Sequence, residues 1–215
     1  MENINKQELI DFEQWCADTY HDKKIMSPMH LSGSVDGKLE DFLIELFKEI
    51  GSNDWIFTTY RSHYHALLKG VDKEWIKKWI LENKSIHLMN KEHRIISSAI
   101  VGGTLSQGVG AALAIKLKGE KNKVWCFCGD MTASLGIFKD CLKFSLANNL
   151  PINFVIEDNG LSTDTPTNEA WNESVDAVLS SLINNSISKV RYIKYQRKWP
   201  HYGTGKRIDF QDDKT

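Results

Sequence analysis

KVWCFCGDMTASLGIF (residues 123–138) and INFVIEDNGLST (residues 152–163) each open on an apolar run and turn polar at its end. Short apolar runs bounded by turn signals read as buried strands, and the residues between these two carry helical spacing. The pattern predicts a strand over 123–128, a helix over 135–148 and a strand over 152–156. A β-α-β unit of this kind implies parallel strands joined by a right-handed crossover. Asp130 and Asn159 then stand just past two neighbouring strand ends, at the carboxyl edge where open α/β sheets bind ligands. A carboxylate and an amide oxygen side by side are hard ligands, suited to Mg²⁺ that also takes oxygens from a diphosphate.

Upstream, apolar positions at helical spacing predict helices near 5–20 and 37–50, the second (GKLEDFLIELFKEIG) ending on a glycine stop signal. DWIFTTY reads as a short extended run that leads into a polar, aromatic turn region, RSHYHALLKG. VDKEWIKKWILEN is an amphipathic helix whose Trp75 and Trp79 share one face, a placement that favours packing over ligand contact. From Ser97 the chain becomes dense in small residues, SSAIVGGTLSQGVGAALAIKLKG, which allows close backbone approach between two helices or against a bound ligand. Downstream, a helix near 170–184 and a strand near 189–196 are expected. The predicted class is α/β, a three-layer α/β/α arrangement around a mainly parallel sheet. It forms one domain over 1–215, with a helical extension at 1–25 and a loop or tail at 198–215.

The 215 residues and 41% hydrophobic content suit one globular core. With 27 basic and 28 acidic side chains well mixed, nothing points to nucleic acid or to a membrane surface. MENINKQELIDFEQW has neither the basic start nor the apolar stretch of a signal peptide, so a cytoplasmic location is expected. Cys16, Cys126, Cys128 and Cys141 show no metal-ligand spacing and are expected to be buried free thiols.

GDMTASLGIFKDCLKFSLANNLPINFVIEDNGLST resembles the thiamine-diphosphate motif of 2-oxo acid dehydrogenase E1 α subunits and transketolases. In that motif Gly-Asp-Gly is followed by Asn after about thirty residues; here Asn159 lies 29 residues beyond Asp130. The resemblance implies that Asp130 and Asn159 bind Mg²⁺ through side chains and Leu161 through its carbonyl. It also implies that Gly129, Met131, Thr132 and Ala133 meet the diphosphate at a helix start. TTYRSHYHALLKGVD is similar to the Tyr-Arg-x-His segment of E1 α subunits, which sets Tyr60 and Arg61 near the cofactor, Arg61 against the diphosphate. SIHLMNKEHRIISSAIVGGTLSQGVGAALA resembles the stretch that presents Ala99, Ile100 and Val101 to the aminopyrimidine, with Gly102 shaping the same wall. His30 in SPMHLSG and His201 in WPHYGTG match two family histidines, and with His63 they are expected to converge on one mouth as catalytic residues.

The match runs in order over about residues 25–165 and departs from the family in three places. Met131 replaces the second glycine, which would strain the turn if that position needs a conformation closed to side chains. SGSVDG stands where the family has Gly-Gln-Glu-Ala, so the entrance near His30 is rebuilt. The stretch from Asn159 to the strand near Tyr192 is about one β-α unit shorter than in full E1 α subunits.

The glutamate that activates the cofactor belongs in this family to a pyrimidine-binding domain on a β subunit, so an α2β2 assembly with two cofactors is implied. Exposed aromatics, Trp171 and Trp199 among them, are candidates for partner surface. The reaction implied is cleavage of a 2-oxo acid with transfer to a lipoyl carrier. Two alternatives stand beside it, a transketolase-like carboligase passing two carbons from a ketose to an aldehyde and a noncatalytic scaffold. A nucleotide site at GGTLSQGVG ranks last, for want of a preceding strand in register and a later acidic residue.

Overall fold

The computed structural model describes residues 4–171 and 189–201. Its centre is a six-stranded sheet in the order β2-β3-β1-β4-β5-β8. The strands are β1 (Trp55–Thr59), β2 (Met89–Asn90), β3 (Ile95–Ser98), β4 (Val124–Gly129), β5 (Ile152–Asp158) and β8 (Val190–Lys194). All neighbours are parallel except the short edge strand β2. A two-stranded hairpin, β6 (Leu161–Ser162) with β7 (Thr165–Pro166), follows β5 and turns through Thr163 at a positive φ of 59°.

Period-two alternation divides the core into two faces. Ile56, Trp125, Phe127, Val155 and Ile193 face a layer made by α1 (Lys6–His21), α2 (Lys38–Phe47), α3 (His63–Leu68) and α4 (Lys73–Leu81). Phe57, Cys126, Cys128, Phe154 and Ile156 face α5 (Gly103–Lys118), α6 (Asp130–Ser134) and α7 (Gly136–Ala147). The predicted three-layer α/β arrangement is therefore present, with the strand pair β4/β5 at its middle and the predicted helix between them.

Local chemistry explains the element ends. Asn5 and Glu8 form a reciprocal capping box at the start of α1, and the Asp72 side chain accepts the Trp75 N–H at the start of α4. Gly102 and Gly119 bracket α5 in left-handed conformations, the role that glycine plays most cheaply. Within α5, Gly108 serves close approach to the sheet. A Cβ on Gly108 would fall 2.2 Å from Cys126 Sγ and 3.5 Å from the Phe57 ring.

Two elements differ from expectation. RSHYHALLKG contains helix α3, because His63, Tyr64 and His65 are buried there rather than exposed on a turn. Ile95–Ser98 is a strand hidden at the head of the glycine-rich segment, too short to show a clear period. The helix expected near 170–184 lies mostly outside the described residues; α8 (Thr167–Trp171) is the part seen. Trp75 and Trp79 stack at 4.9 Å and pack against the core, and all four cysteines are buried free thiols. Among the described residues no helix is long and apolar enough to cross a membrane.

Candidate active site

Residues following the carboxyl ends of β1, β3, β4 and β5 line one cleft. Parallel strands ending together with helices leaving in opposite directions produce such a crevice without any special loop. Tyr60, Arg61, Ile100, Val101 and Gly102 form one part of its lining. Gly129, Asp130, Met131, Thr132, Asn159 and Leu161 form another, and His201 closes a third side.

Asp130 opens α6 and is only 2% exposed. Burial raises its carboxyl above the ordinary range; the Thr167 hydroxyl, which donates to Oδ2, opposes that rise, and the Asp158 charge adds to it. A nearby cation would reverse the shift, since opposite charge favours the ionised form. Asn159 Oδ1 accepts the Leu161 N–H at 3.0 Å, which fixes which end of the amide is oxygen. Asp158 is occupied otherwise, with Oδ1 accepting the Gly160 N–H at 2.7 Å and Oδ2 the Tyr192 hydroxyl at 2.5 Å. Asp130, Asn159 and Leu161 thus share one lining. Among the described residues no cluster of three or more His, Cys, Asp or Glu could hold a metal by itself. This donor set fits a small hard cation that completes its shell with ligand oxygens and water.

Met131 carries no strain. It lies within α6 and is absent from the positive-φ residues, while Gly129 before it is extended at φ −83° and ψ 171°. The turn needs no glycine at 131, so the thioether simply enters the lining.

Arg61 lies across the cleft, 7% exposed, its guanidinium 5.4 Å from the Tyr60 ring centroid. Its Nε donates to the Leu31 carbonyl at 3.0 Å and Nη2 to the His201 carbonyl at 3.5 Å. Among the described residues it has no carboxylate partner. A largely buried guanidinium balanced only by carbonyl dipoles suits an anionic ligand.

The His30 ring lies 4.3 Å from the Tyr60 ring and 4.7 Å from that of His201. Its Nδ1 is 2.5 Å from the His201 carbonyl oxygen, which can only accept, so Nδ1 carries the proton and the neutral ring keeps its lone pair on Nε2. Burial first, then the Arg61 charge, lowers His30 to about 3, and the same two causes lower His201 to about 4. Both rings are neutral at pH 7.

His63 does not join them. It is buried in the α1–α4 layer, Nε2 2.9 Å from the Ser85 hydroxyl and the ring edge-on to Phe12, and it is outside the cleft lining. Burial and then His65 lower it to about 4. The expected convergence of three histidines on the cleft is not seen: His201 alone of the three is in the lining, His30 packs behind it, and α3 turns His63 inward. Ala99 and Ala133 are also outside the lining, Ala133 fully buried in the core. Ile100, by contrast, is 70% exposed at the cleft edge. Trp199 is partly buried, its indole N–H donating to Glu13 Oε2 at 3.0 Å; the Trp171 side chain lies outside the described residues.

Three features escaped sequence reasoning. The hairpin returns Thr167 onto Asp130, and the two-residue turn between LS and TP was its available signal. Glu157 enters the lining while bonded to the buried His65 at 3.0 Å, a pair 92 residues apart that no local pattern announces. The buried Glu13 and Glu40 meet the rebuilt SGS loop, although each sits in a helix that looked ordinary.

A family profile described as "Dehydrogenase E1 component" matches residues 5–178. The α-3 subunit of the chloroplastic pyruvate dehydrogenase E1 component of Arabidopsis thaliana is 30% identical over 69% of this chain and 37% of its own length. The pyruvate dehydrogenase E1 α subunit of Porphyra purpurea is 30% identical over 69% of this chain and 47% of its own. The α subunit of the Bacillus subtilis acetoin:2,6-dichlorophenolindophenol oxidoreductase is 32% identical over 53% of this chain and 37% of its own. The chain spans less than half the length of these relatives.

Proposed function

Because this chain belongs to the dehydrogenase E1 component family, which implies thiamine diphosphate, we propose that it supplies the Mg²⁺–diphosphate half of a two-chain thiamine-diphosphate enzyme acting on a 2-oxo acid. The observation that carries the reading is the cleft itself. Asp130, Asn159 and Leu161 share a lining with Arg61, which has no carboxylate partner among the described residues. The complement is a β subunit bearing the pyrimidine-binding domain, in an α2β2 assembly that passes its acyl group to a lipoyl carrier. The four buried free thiols suit the reducing cytoplasm.

When bound, thiamine diphosphate would supply a carbon nucleophile and an electron sink for decarboxylation. The chain's own residues do the rest. Asp130, Asn159 and the Leu161 carbonyl hold Mg²⁺, and Arg61 pairs with diphosphate oxygens. Backbone groups from Ile100 to Gly102, which line the cleft, would hold the aminopyrimidine without side-chain identity. His201, in the lining, donates a hydrogen bond to a substrate oxygen, and His30 packs behind it.

Titration of the chain with thiamine diphosphate and Mg²⁺, alone and with its β partner, tests the site; binding unchanged in both Asp130→Ala and Asn159→Ala would refute it. The relatives' names supply two donors to compare, pyruvate and acetoin. Acyl transfer from pyruvate to lipoamide supports the proposed reaction, whereas a new hydroxyketone formed only with added aldehyde points to carboligation.

A further inference from the structure

Glu13 on α1 and Glu40 on α2 are each about 1% exposed, and among the described residues neither pairs with a basic side chain. Buried carboxylates without a counter-ion are costly unless donors surround them. Here the donors come almost wholly from two segments that carry site residues. Glu13 Oε1 accepts the Ser32 N–H at 2.5 Å, while Oε2 accepts the Gly33 N–H at 2.7 Å and the Trp199 indole N–H at 3.0 Å. Glu40 Oε1 accepts the Ser34 N–H at 3.0 Å and the Tyr64 hydroxyl at 3.2 Å, and Oε2 accepts the Ser34 hydroxyl at 2.5 Å.

Those two segments also hold each other. Lys198 N–H donates to the Gly33 carbonyl at 2.7 Å, Val35 N–H to the Gln196 carbonyl at 2.9 Å, and Ser34 bridges Arg197. Beyond this short ladder, the Leu31 carbonyl receives Arg61 Nε and the His201 carbonyl receives His30 Nδ1. Gly33 has no room for a side chain, since a Cβ there would lie 2.8 Å from Glu13 Oε2 and 3.0 Å from Trp199 Nε1.

We propose that Glu13, supported by Glu40, is a positioning residue that clamps the 30–34 loop to the 196–201 segment and so sets His30 behind His201, which lines the cleft. The carboxylate is the one acceptor that reaches backbone donors of the first segment and a side-chain donor of the second at once. An amide offers a single acceptor oxygen and brings two unwanted donors. Burial pushes the Glu13 carboxyl up to about 7, opposed by the Ser32 and Gly33 N–H groups and reinforced by Glu40. The titratable groups facing it are Glu40 from α2, Tyr64 from α3, Cys16 on its own helix and Tyr195 beside the second segment.

The catalytic consequence rests on the proposed function, but the clamp itself does not. In the full chain, Glu13→Gln is expected to speed amide hydrogen exchange about tenfold in 30–34 and in 196–201 together, with β4 and β5 unchanged. Trp199→Phe, which removes one donor and leaves the carboxylate, is expected to loosen 196–201 more than 30–34. Thiamine diphosphate and Mg²⁺ are then expected to bind Glu13→Gln within about threefold of wild type, while in the complex with the β partner kcat for pyruvate falls about tenfold and KM moves less. Unchanged exchange in both segments, or loosening of one alone in Glu13→Gln, overturns the clamp. Should Glu13→Gln not fold, the Trp199→Phe exchange pattern decides. If wild type binds no thiamine diphosphate, the cofactor reading fails while the exchange result still judges the clamp.

Discussion

The Asp130–Asn159 side of the cleft is made by the ends of two hydrogen-bonded parallel strands, whereas the His30–His201 side joins residues 171 apart through one β-bridge and buried side-chain acceptors. On the first side, backbone register brings the ligands together, since Gly129 pairs with Glu157 two residues before Asn159. On the second, position depends on a few polar side chains deep in the α1–α4 layer. A strand-built wall should therefore lose function when its ligands change and keep its shape. A wall assembled through side chains should lose shape first.

The sharpest way to break this contrast is Asp130→Asn. Calorimetric titration is expected to show thiamine diphosphate affinity with Mg²⁺ falling by about two to three decades, about 3–4 kcal/mol. Thermal melting of the unliganded protein at pH 7 is expected to rise or hold. The sign follows from the raised carboxyl: ionisation in the folded state costs stability above the unfolded value, and an amide removes that cost. A fall in both would mean that the carboxylate is needed for the fold itself.

His63 probes the helical layer behind the second wall. Its folded value of about 4 lies below the unfolded 6.5, so its contribution is present above pH 6.5 and is lost as pH falls toward 4. The loss amounts to about 3 kcal/mol and is read from urea melts at the two ends of that window. His63→Gln should flatten this acid limb and leave cofactor affinity alone. Gly108→Ala tests the strand-built wall through its packing: the added methyl meets Cys126 Sγ, and urea melts should show a cost of about 1–3 kcal/mol. Arg61→Lys gives the smallest expected change, about tenfold in cofactor affinity with melting temperature kept, because an ammonium loses the planar fork.

The same contrast governs what the sequence revealed. Asp130, Asn159 and the β4-α7-β5 unit were legible because strand ends, turn residues and helical spacing lie within one continuous stretch. Arg61 and the turn before α5 were legible by resemblance, and the cleft lining includes Arg61, Ile100 and Val101. His63 was misplaced because a histidine near a turn looks exposed until α3 is known to turn it inward. Whether Met131 strains the turn or only narrows the pocket could not be read from the motif, and the helical backbone at that point decides for the second. Thr167, Glu157 with His65, and Glu13 with Glu40 stayed hidden, since their partners come from distant elements and hydrogen-bonded burial leaves no periodic trace.

The hairpin that returns Thr167 to Asp130 also bears on ion selectivity. With one lone pair of Oδ2 already receiving the Thr167 hydroxyl, Oδ1 is the less engaged oxygen and would be the readier contact for a cation. Calcium commonly takes both oxygens of a carboxylate in a wide, irregular shell, while magnesium keeps to single-oxygen contacts in a tight octahedron. If the site holds a cation as proposed, the Thr167 hydroxyl would therefore favour the smaller metal.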